Sequence, residues 1–271
     1  MDRFNRNNRI VAITQILLNN PSRVISLNNF LEPLNAAKSS ISEDIVIIRE
    51  TIERLDLGRV ESISGASGGI KYIPKISKED TNKFVQDLCK NLNSKERIVP
   101  GNFIYINDIM FNPKIVSKAA TILSSLFEGQ QIDHVVTVET KGIPLAYEVS
   151  KNLGVELIIV RRDTKVTEGP TVSINYVSGS SGRIQNMSLS KKSLKKGSKC
   201  IFIDDFMKGG GTAKGIMDLL KEFESELLGI GVLIDNIQSD KKVIKEYFSI
   251  IEFLGINEDE SVLLKPSNFI K

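Results

Sequence analysis

The sequence predicts an α/β protein in two parts. An N-terminal helical segment closes with a β-hairpin, and a larger part is built on a parallel sheet flanked by helices, with a two-stranded flap. Three observations predict it. Short apolar runs alternate with amphipathic stretches from residue 103 to residue 234, the pattern of a sheet whose crossovers are helices. Three amphipathic stretches precede a glycine-tipped pair of extended runs within residues 6–73. Between residues 200 and 212 an apolar run meets two acids and then three glycines, as where a buried strand turns into a helix.

In chain order, Ile10, Ile13, Leu17 and Leu18 mark a helix from about Arg6 to Asn19, stopped by Asn20-Pro21. Ser26 is placed to cap a second, short helix with Leu27, Phe30, Leu31 and Leu34 on one face. A third helix carries Ile41, Ile45, Ile48 and Ile52 as its stripe. Its start is open between a capping box at Ser40 and Glu43 and an earlier start near Ala37. Residues 59–64 and 70–73 then read as a hairpin with a glycine-rich tip.

Three helices and a hairpin are the order of a winged helix-turn-helix, assigned to residues 1–74. The third helix opens Ala37-Lys38-Ser39-Ser40-Ile41-Ser42-Glu43-Asp44-Ile45. It resembles the recognition helix of bacterial winged-helix repressors, in which small hydroxyl residues face DNA while the Asp and its aliphatic neighbour turn inward. Lys38, Ser39, Ser40 and Ser42 are therefore expected at the major groove, with Ser67 and Lys71 on the wing and Arg3 and Arg6 alongside. Arg3, Arg6, Arg9 and Lys38 are expected to share one face. The segment is not strongly basic, with nine Lys and Arg against eight Asp and Glu in residues 1–74.

Residues 75–271 form the second predicted domain. It opens with a connecting segment, 75–99, whose helix carries Phe84, Leu88 and Leu92 on one face. An apolar strand is expected at Phe103 to Ile106. Helix Pro113 to Phe127, strand His134 to Val138, helix Gly142 to Leu153, strand Glu156 to Val160, strand Cys200 to Ile203, helix Thr212 to Phe223 and strand Gly229 to Ile234 follow. Ligands of such sheets bind beyond the carboxyl ends of the strands. Four of those ends carry polar or glycine-rich turns, beginning at Glu139, Arg161, Asp204 and Asp235. Residues 163–199 read as a two-stranded flap with a mobile tip at Ser178 to Gly182 and a lysine-rich end.

The turn at 204–212 carries the chemistry. Glycines between strand and helix let backbone N–H groups close around an anion at the helix N-terminus. A carboxylate pair beside that anion repels it unless the pair holds hydroxyls or a cation. The arrangement suits a sugar 5-phosphate, with Gly209, Gly210, Gly211 and Thr212 on the phosphate and Asp204 and Asp205 on the 2- and 3-hydroxyls. This stretch, with Phe206, Met207 and Lys208, resembles the phosphoribosyl-pyrophosphate (PRPP) motif of the type I phosphoribosyltransferases. Gly209 stands where many of those enzymes have Thr. Thr140, Lys141 and Gly142 resemble the family's pyrophosphate loop, where a non-proline cis peptide is common, and Arg162 and Lys165 add charge for a diphosphate. The flap matches the family's loop that closes over PRPP.

The chain resembles, over nearly its whole length, the purine operon repressor family of Gram-positive bacteria. Thr140 to Ala146, Ser173 to Ser181 and Ile203 to Lys208 carry that likeness together with the winged helix. The resemblance implies a homodimeric regulator that binds double-stranded operator DNA upstream of purine genes. PRPP, with magnesium, is the implied effector that weakens DNA binding, with no catalysis and no obligatory cofactor. Phe103 and Phe206 are placed to stack a purine, so guanosine tetraphosphate is a second expected ligand. The rival is an active adenine- or xanthine-type transferase, for which no base-recognition hood is evident; an RNA-binding attenuation regulator leaves the winged helix unexplained.

Composition limits the remaining classes. Apolar residues make up 41% of the 271 and charged residues 25%, with a net charge of +3, as in ordinary globular proteins. Cys89 and Cys200 form neither a disulfide framework nor a metal spacing. His134 is the single histidine, which argues against a His-dependent triad or a zinc-histidine site, and no metal ligands are expected. The N-terminus lacks a signal-peptide pattern and no run approaches a membrane span. A cytoplasmic protein with no membrane partner is expected.

Overall fold

The computed structural model describes residues 4–65, 67–99, 103–163, 169–178, 182–239, 242–257 and 261–270, with only the backbone of Phe103. Two compact units divide the chain: residues 1–77, with 151–154 grouped among them, and the remainder from 78 onward.

The first unit contains α1 (Arg6–Asn19), α2 (Asn28–Leu34), α3 (Lys38–Arg54) and an antiparallel hairpin of β1 (Gly58–Ile63) and β2 (Gly69–Pro74). Ile13, Leu17, Phe30, Ile41, Ile45, Ile48 and Val60 are among its core residues; the α3 stripe is buried as expected, while in the α1 stripe Leu18 is exposed. Asn5 caps α1 through its side chain, accepting from the Asn8 N–H at 2.9 Å. The third helix starts early, with Ala37 at the N-cap and no side-chain cap. The Ser40 capping box is therefore not used, because Ser40 lies inside the first turn. Asp44 is fully buried. It accepts from Arg9 Nε at 2.7 Å and from Arg9 Nη2 at 3.3 Å. Arg9 is only 8% exposed and is removed from the expected cationic face, because it neutralises the acid that α3 turns inward.

The second unit begins with α4 (Lys78–Leu92), which packs on the last two strands of the main sheet at its far edge. The expected strand at 103–106 does not join that sheet. Instead β3 (Ile98–Val99) and β4 (Phe103–Ile104) pair with each other, and α5 (Asn107–Met110) follows at once. Then come α6 (Pro113–Leu126), β5 (His134–Val138), α7 (Ile143–Leu153), β6 (Glu156–Val160), β7 (Thr171–Val177), β8 (Ile184–Ser190), β9 (Lys199–Met207), α8 (Gly211–Glu222), β10 (Glu226–Asn236), β11 (Phe248–Ile256) and β12 (Val262–Pro266). The sheet runs β12-β11-β10-β9-β5-β6. All neighbours are parallel except β12. The strands β11 and β12 lie beyond the last element expected from the sequence. Val136, Phe202, Ile216, Leu219 and Val232 are among the buried residues that bind sheet to helices.

The flap is the antiparallel hairpin β7–β8. Its base is fixed: Met187, Tyr176 and Leu189 are buried in the same core as α8. Two backbone hydrogen bonds join Arg161 and Ser188, at 3.0 and 2.8 Å. The tip at 179–181 lies outside the described residues. Both cysteines are buried, and burial raises their thiols to about 11 for Cys89 and about 12 for Cys200, so neither is a reactive thiolate at neutral pH. Among the described residues no helix is long and apolar enough to cross a membrane.

Candidate functional site: an anion and polyol cleft

A cleft of about 1150 Å³ opens at the carboxyl ends of β5, β6, β9, β10 and β11. The run Asp204 to Thr212 lines it without a break, with Thr140, Lys141 and Arg162 opposite. The strand β9 extends through both acids to Met207, four residues beyond the expected end at Ile203. The chain then turns, and Gly210 caps α8 with φ +80°, a conformation that glycine adopts without penalty. The first N–H groups of α8 have no partner within the helix, as at any helix N-terminus. They make the glycine turn an anion cradle.

The acids are held close. The Asp205 N–H donates to Asp204 Oδ1 at 2.9 Å. Burial, and then the neighbouring Asp205 carboxylate, push the Asp204 carboxyl well above the usual carboxylate range. Such a group is stabilised by donors such as sugar hydroxyls. Its hard oxygens also fit magnesium carried in by a diphosphate, although no cluster of three or more His, Cys, Asp or Glu suited to a metal exists among the described residues.

Gly142 gives Asp204 its room. A Cβ at that position would sit 2.7 Å from Asp204 Oδ1 and 2.9 Å from Thr137 Oγ1. The turn before it contains a cis peptide bond, Glu139–Thr140, with no proline, in the loop where the resemblance implies one. Lys141 is exposed at the cleft. Glu139 accepts from the Arg162 N–H at 2.8 Å and from Arg161 Nη1 at 3.2 Å. Arg161 is thereby engaged by an acid, while Arg162 keeps its side chain at the cleft. Lys165 lies outside the described residues.

Phe206 lines the cleft and is partly buried. The side chain of Phe103, its expected stacking partner, lies outside the described residues. Sequence reasoning missed two walls. One is Val99, Ile104, Tyr105, Ile106 and Asn107; the other is Asn236, Gln238, Phe253, Gly255 and Ile256. Asn236 follows a strand-end signal already visible in the sequence, and the apolar run 248–256 was a legible strand. The first wall had no periodic signal. No described residue of the β7–β8 hairpin lines the cleft.

In the first unit, Lys38, Ser39 and Ser42 are exposed on the first turns of α3, and Ser40 is half-buried. Ser42 Oγ donates to Lys38 O at 3.0 Å. Lys38 and Ser42 share a groove of about 500 Å³ with Ser62, Gly65 and Gly68 of the wing. Arg49 braces that groove, donating from Nε to Val60 O and from Nη2 to Ser62 Oγ, both at 2.8 Å. Ser67 is exposed at the wing turn. Lys71 is less available than expected, since its Nζ lies 3.8 Å from Glu61 Oε2. Arg6 is half-exposed and 3.5 Å from Asp44. Arg3 lies outside the described residues.

The fold and cleft define a type I phosphoribosyltransferase-like domain carried by a chain with a winged-helix unit. A phosphoribosyl transferase domain model matches residues 106–263, and a bacterial purine repressor N-terminal model matches residues 5–74. The chain is 47% identical to the purine biosynthesis transcriptional repressor PurR of Bacillus subtilis, over 99% of this chain and 95% of that one. It is 41% identical to the purine biosynthesis transcriptional activator PurR of Lactococcus lactis, over 91% of each. Adenine phosphoribosyltransferase of Thermoanaerobacter pseudethanolicus superposes with a TM-score of 0.54 at 21% identity, covering 62% of this chain and 99% of that one. The chain belongs to the bacterial purine repressor family.

Proposed function

We propose that this protein is a DNA-binding transcriptional regulator of purine biosynthesis genes, acting as a repressor, whose operator binding is weakened by PRPP. The phosphoribosyltransferase fold serves as a sensor and not as an enzyme. The observation that carries this reading is the unbroken lining of the cleft by Asp204 to Thr212, with Lys141 and Arg162 facing it, in a chain of the purine repressor family. The 5-phosphate sits at the glycine turn, the hydroxyls on Asp204 and Asp205, and the magnesium-bound diphosphate at Thr140, Lys141 and Gly142 with Arg162. Lys38, Ser39, Ser40 and Ser42 meet the major groove and Ser67 the backbone, as a homodimer on two half-sites. Guanosine tetraphosphate competes for the same cleft, with its base against Phe206.

The reading is tested by binding a labelled purine promoter fragment at fixed salt, with and without PRPP and magnesium. Specific binding that PRPP relieves, and that Asp204→Ala frees from PRPP alone, supports it. Titrating guanosine tetraphosphate against PRPP in the same assay tests the second ligand. A second reading, a purine phosphoribosyltransferase, is favoured by one observation: the apolar wall Val99, Ile104 and Ile106 lines the cleft where a base hood would be needed. Base-dependent consumption of PRPP without specific DNA binding selects that reading.

A further inference from the structure

Arg97 belongs to none of the motifs above, yet its guanidinium joins three elements. Its Nε donates to Asn91 O in the last turn of α4 at 3.0 Å. Nη1 donates to Tyr105 O at 3.1 Å. Nη1 and Nη2 form a two-pronged pair with Asp108 of α5, each at 2.8 Å. The Tyr105 N–H returns a bond to Arg97 O at 2.7 Å. These hydrogen bonds from Arg97 hold the Asp108 carboxyl below the usual carboxylate range. Between the prongs lie Tyr105, Ile106 and Asn107, which line the cleft. Asn107 Oδ1 is shielded from solvent and has no hydrogen-bond partner among the described residues, although buried acceptors are normally satisfied.

The helix α4 meets the cleft by a second route. Val85, Leu88 and Leu92 are buried, and the helix packs on β11 and β12. Through Phe253, Gly255 and Ile256, β11 lines the cleft. Lys78, the first residue of α4, directly follows Ser77, the last residue of the N-terminal unit.

We propose that Arg97 is a positioning residue that ties the cleft wall Tyr105–Asn107 to α4, so that ligand held against this wall acts on the helix from which the DNA-binding unit is tethered. The inference rests on the PRPP-responsive reading above. A planar fork with five donors can bond three elements at once, and a lysine ammonium cannot reproduce that geometry. Coupling between two sites needs an element that both can bias. The helix α4 fits: it belongs to the second unit, where the Arg97 fork and the sheet edge tie it to the cleft, and its first residue is joined covalently to the last residue of the first unit.

The test uses the full-length Arg97→Lys and Asp108→Asn variants, each confirmed as folded by thermal melting. Three quantities are measured: the Kd for PRPP with magnesium by calorimetry, the Kd for the purine promoter fragment without PRPP, and the same Kd at saturating PRPP. Both single-ligand affinities should stay within threefold of wild type. The factor by which PRPP weakens DNA binding should fall below a third of its wild-type value. The double variant should do no more than either single one, since the two residues act as a unit. A factor above one third of wild type in both variants overturns the inference, as does a loss of either single affinity beyond threefold. If wild type shows no response to PRPP, the regulator reading itself fails. If wild type responds and the variants respond equally, only the role of Arg97 fails.

Discussion

Gly142→Ala isolates the geometry of the sugar site from backbone effects. Gly142 is not in the left-handed region, so alanine is allowed by the backbone, and only space opposes it. The new methyl would meet Asp204 Oδ1 at 2.7 Å, Thr137 Oγ1 at 2.9 Å and Asp204 Cα at 3.2 Å. The carboxylate must swing away, because the Cα of Asp204 is held in β9 by its pairing with Val232 of β10. Displacing it forfeits at least one hydrogen bond from a sugar hydroxyl to a charged group, about 1.5–3 kcal/mol. At 1.4 kcal/mol per factor of ten, PRPP affinity should fall roughly ten- to hundredfold. Promoter affinity without PRPP should not change, because the site lies wholly in the second unit. Calorimetry with PRPP and magnesium, paired with a filter-binding isotherm on DNA, reads both. A PRPP Kd within threefold of wild type would show that Asp204 does not hold the sugar.

Asp44→Ala leaves the Arg9 guanidinium buried and unpaired, which should destabilise the first unit by about 3–5 kcal/mol in chemical denaturation. An Arg9→Met, Asp44→Leu pair removes both charges and should cost much less; equal losses would mean the pair is not what holds α1 to α3. PRPP affinity should fall as pH drops through the raised Asp204 value, by at most tenfold per unit, with proton release on binding seen as buffer-dependent calorimetric heat. The sign follows from the raised carboxyl. Its ionisation costs the ligand-free fold, so that cost is absent below the unfolded carboxylate value and grows as pH rises towards the folded one. Lys38→Ala should weaken binding to all DNA sequences alike and reduce the salt slope by about 0.9; an unchanged slope places Lys38 away from phosphates.

What the sequence made legible is local. The acids, the glycine turn and the start of α8 fall within nine residues, 204–212, and backbone chemistry dictates their arrangement at that range. The helical stripes of α1 and α3 were legible because a 3.6-residue period survives without tertiary information. The wall of Val99 and Ile104 to Asn107 was not. Its two strands are two residues each, too short for any period, and its shape depends on Arg97 reaching Asn91, Tyr105 and Asp108. The engagement of Arg9 was hidden for the same reason, since its acid lies thirty-five positions away. The segment covering the glycine turn was also hidden. Val243 donates to Gly209 O at 3.0 Å, and that loop is anchored by Lys242 and Tyr247 on Asp235.

The charge of the first unit bears on how such a regulator releases DNA. The guanidiniums of Arg9 and Arg49 are turned onto protein acceptors, and Lys71 leans towards Glu61. These three cations are then less free to neutralise phosphates, and sequence-independent affinity grows with the number of phosphates a protein neutralises. On the proposed reading, occupancy of an operator would then rest more on base recognition by α3 and on pairing two half-sites. A complex held in that way needs only a modest coupling to dissociate. A change of about 1–3 kcal/mol, the usual range between linked sites, shifts affinity by about five- to 150-fold. The same arithmetic runs backwards: if PRPP weakens operator binding as proposed, operator DNA must weaken PRPP binding by the same factor. Measuring PRPP affinity on the DNA-bound protein therefore checks the coupling from its other side, and unequal factors would mean that a third state, such as a change in oligomer, takes part.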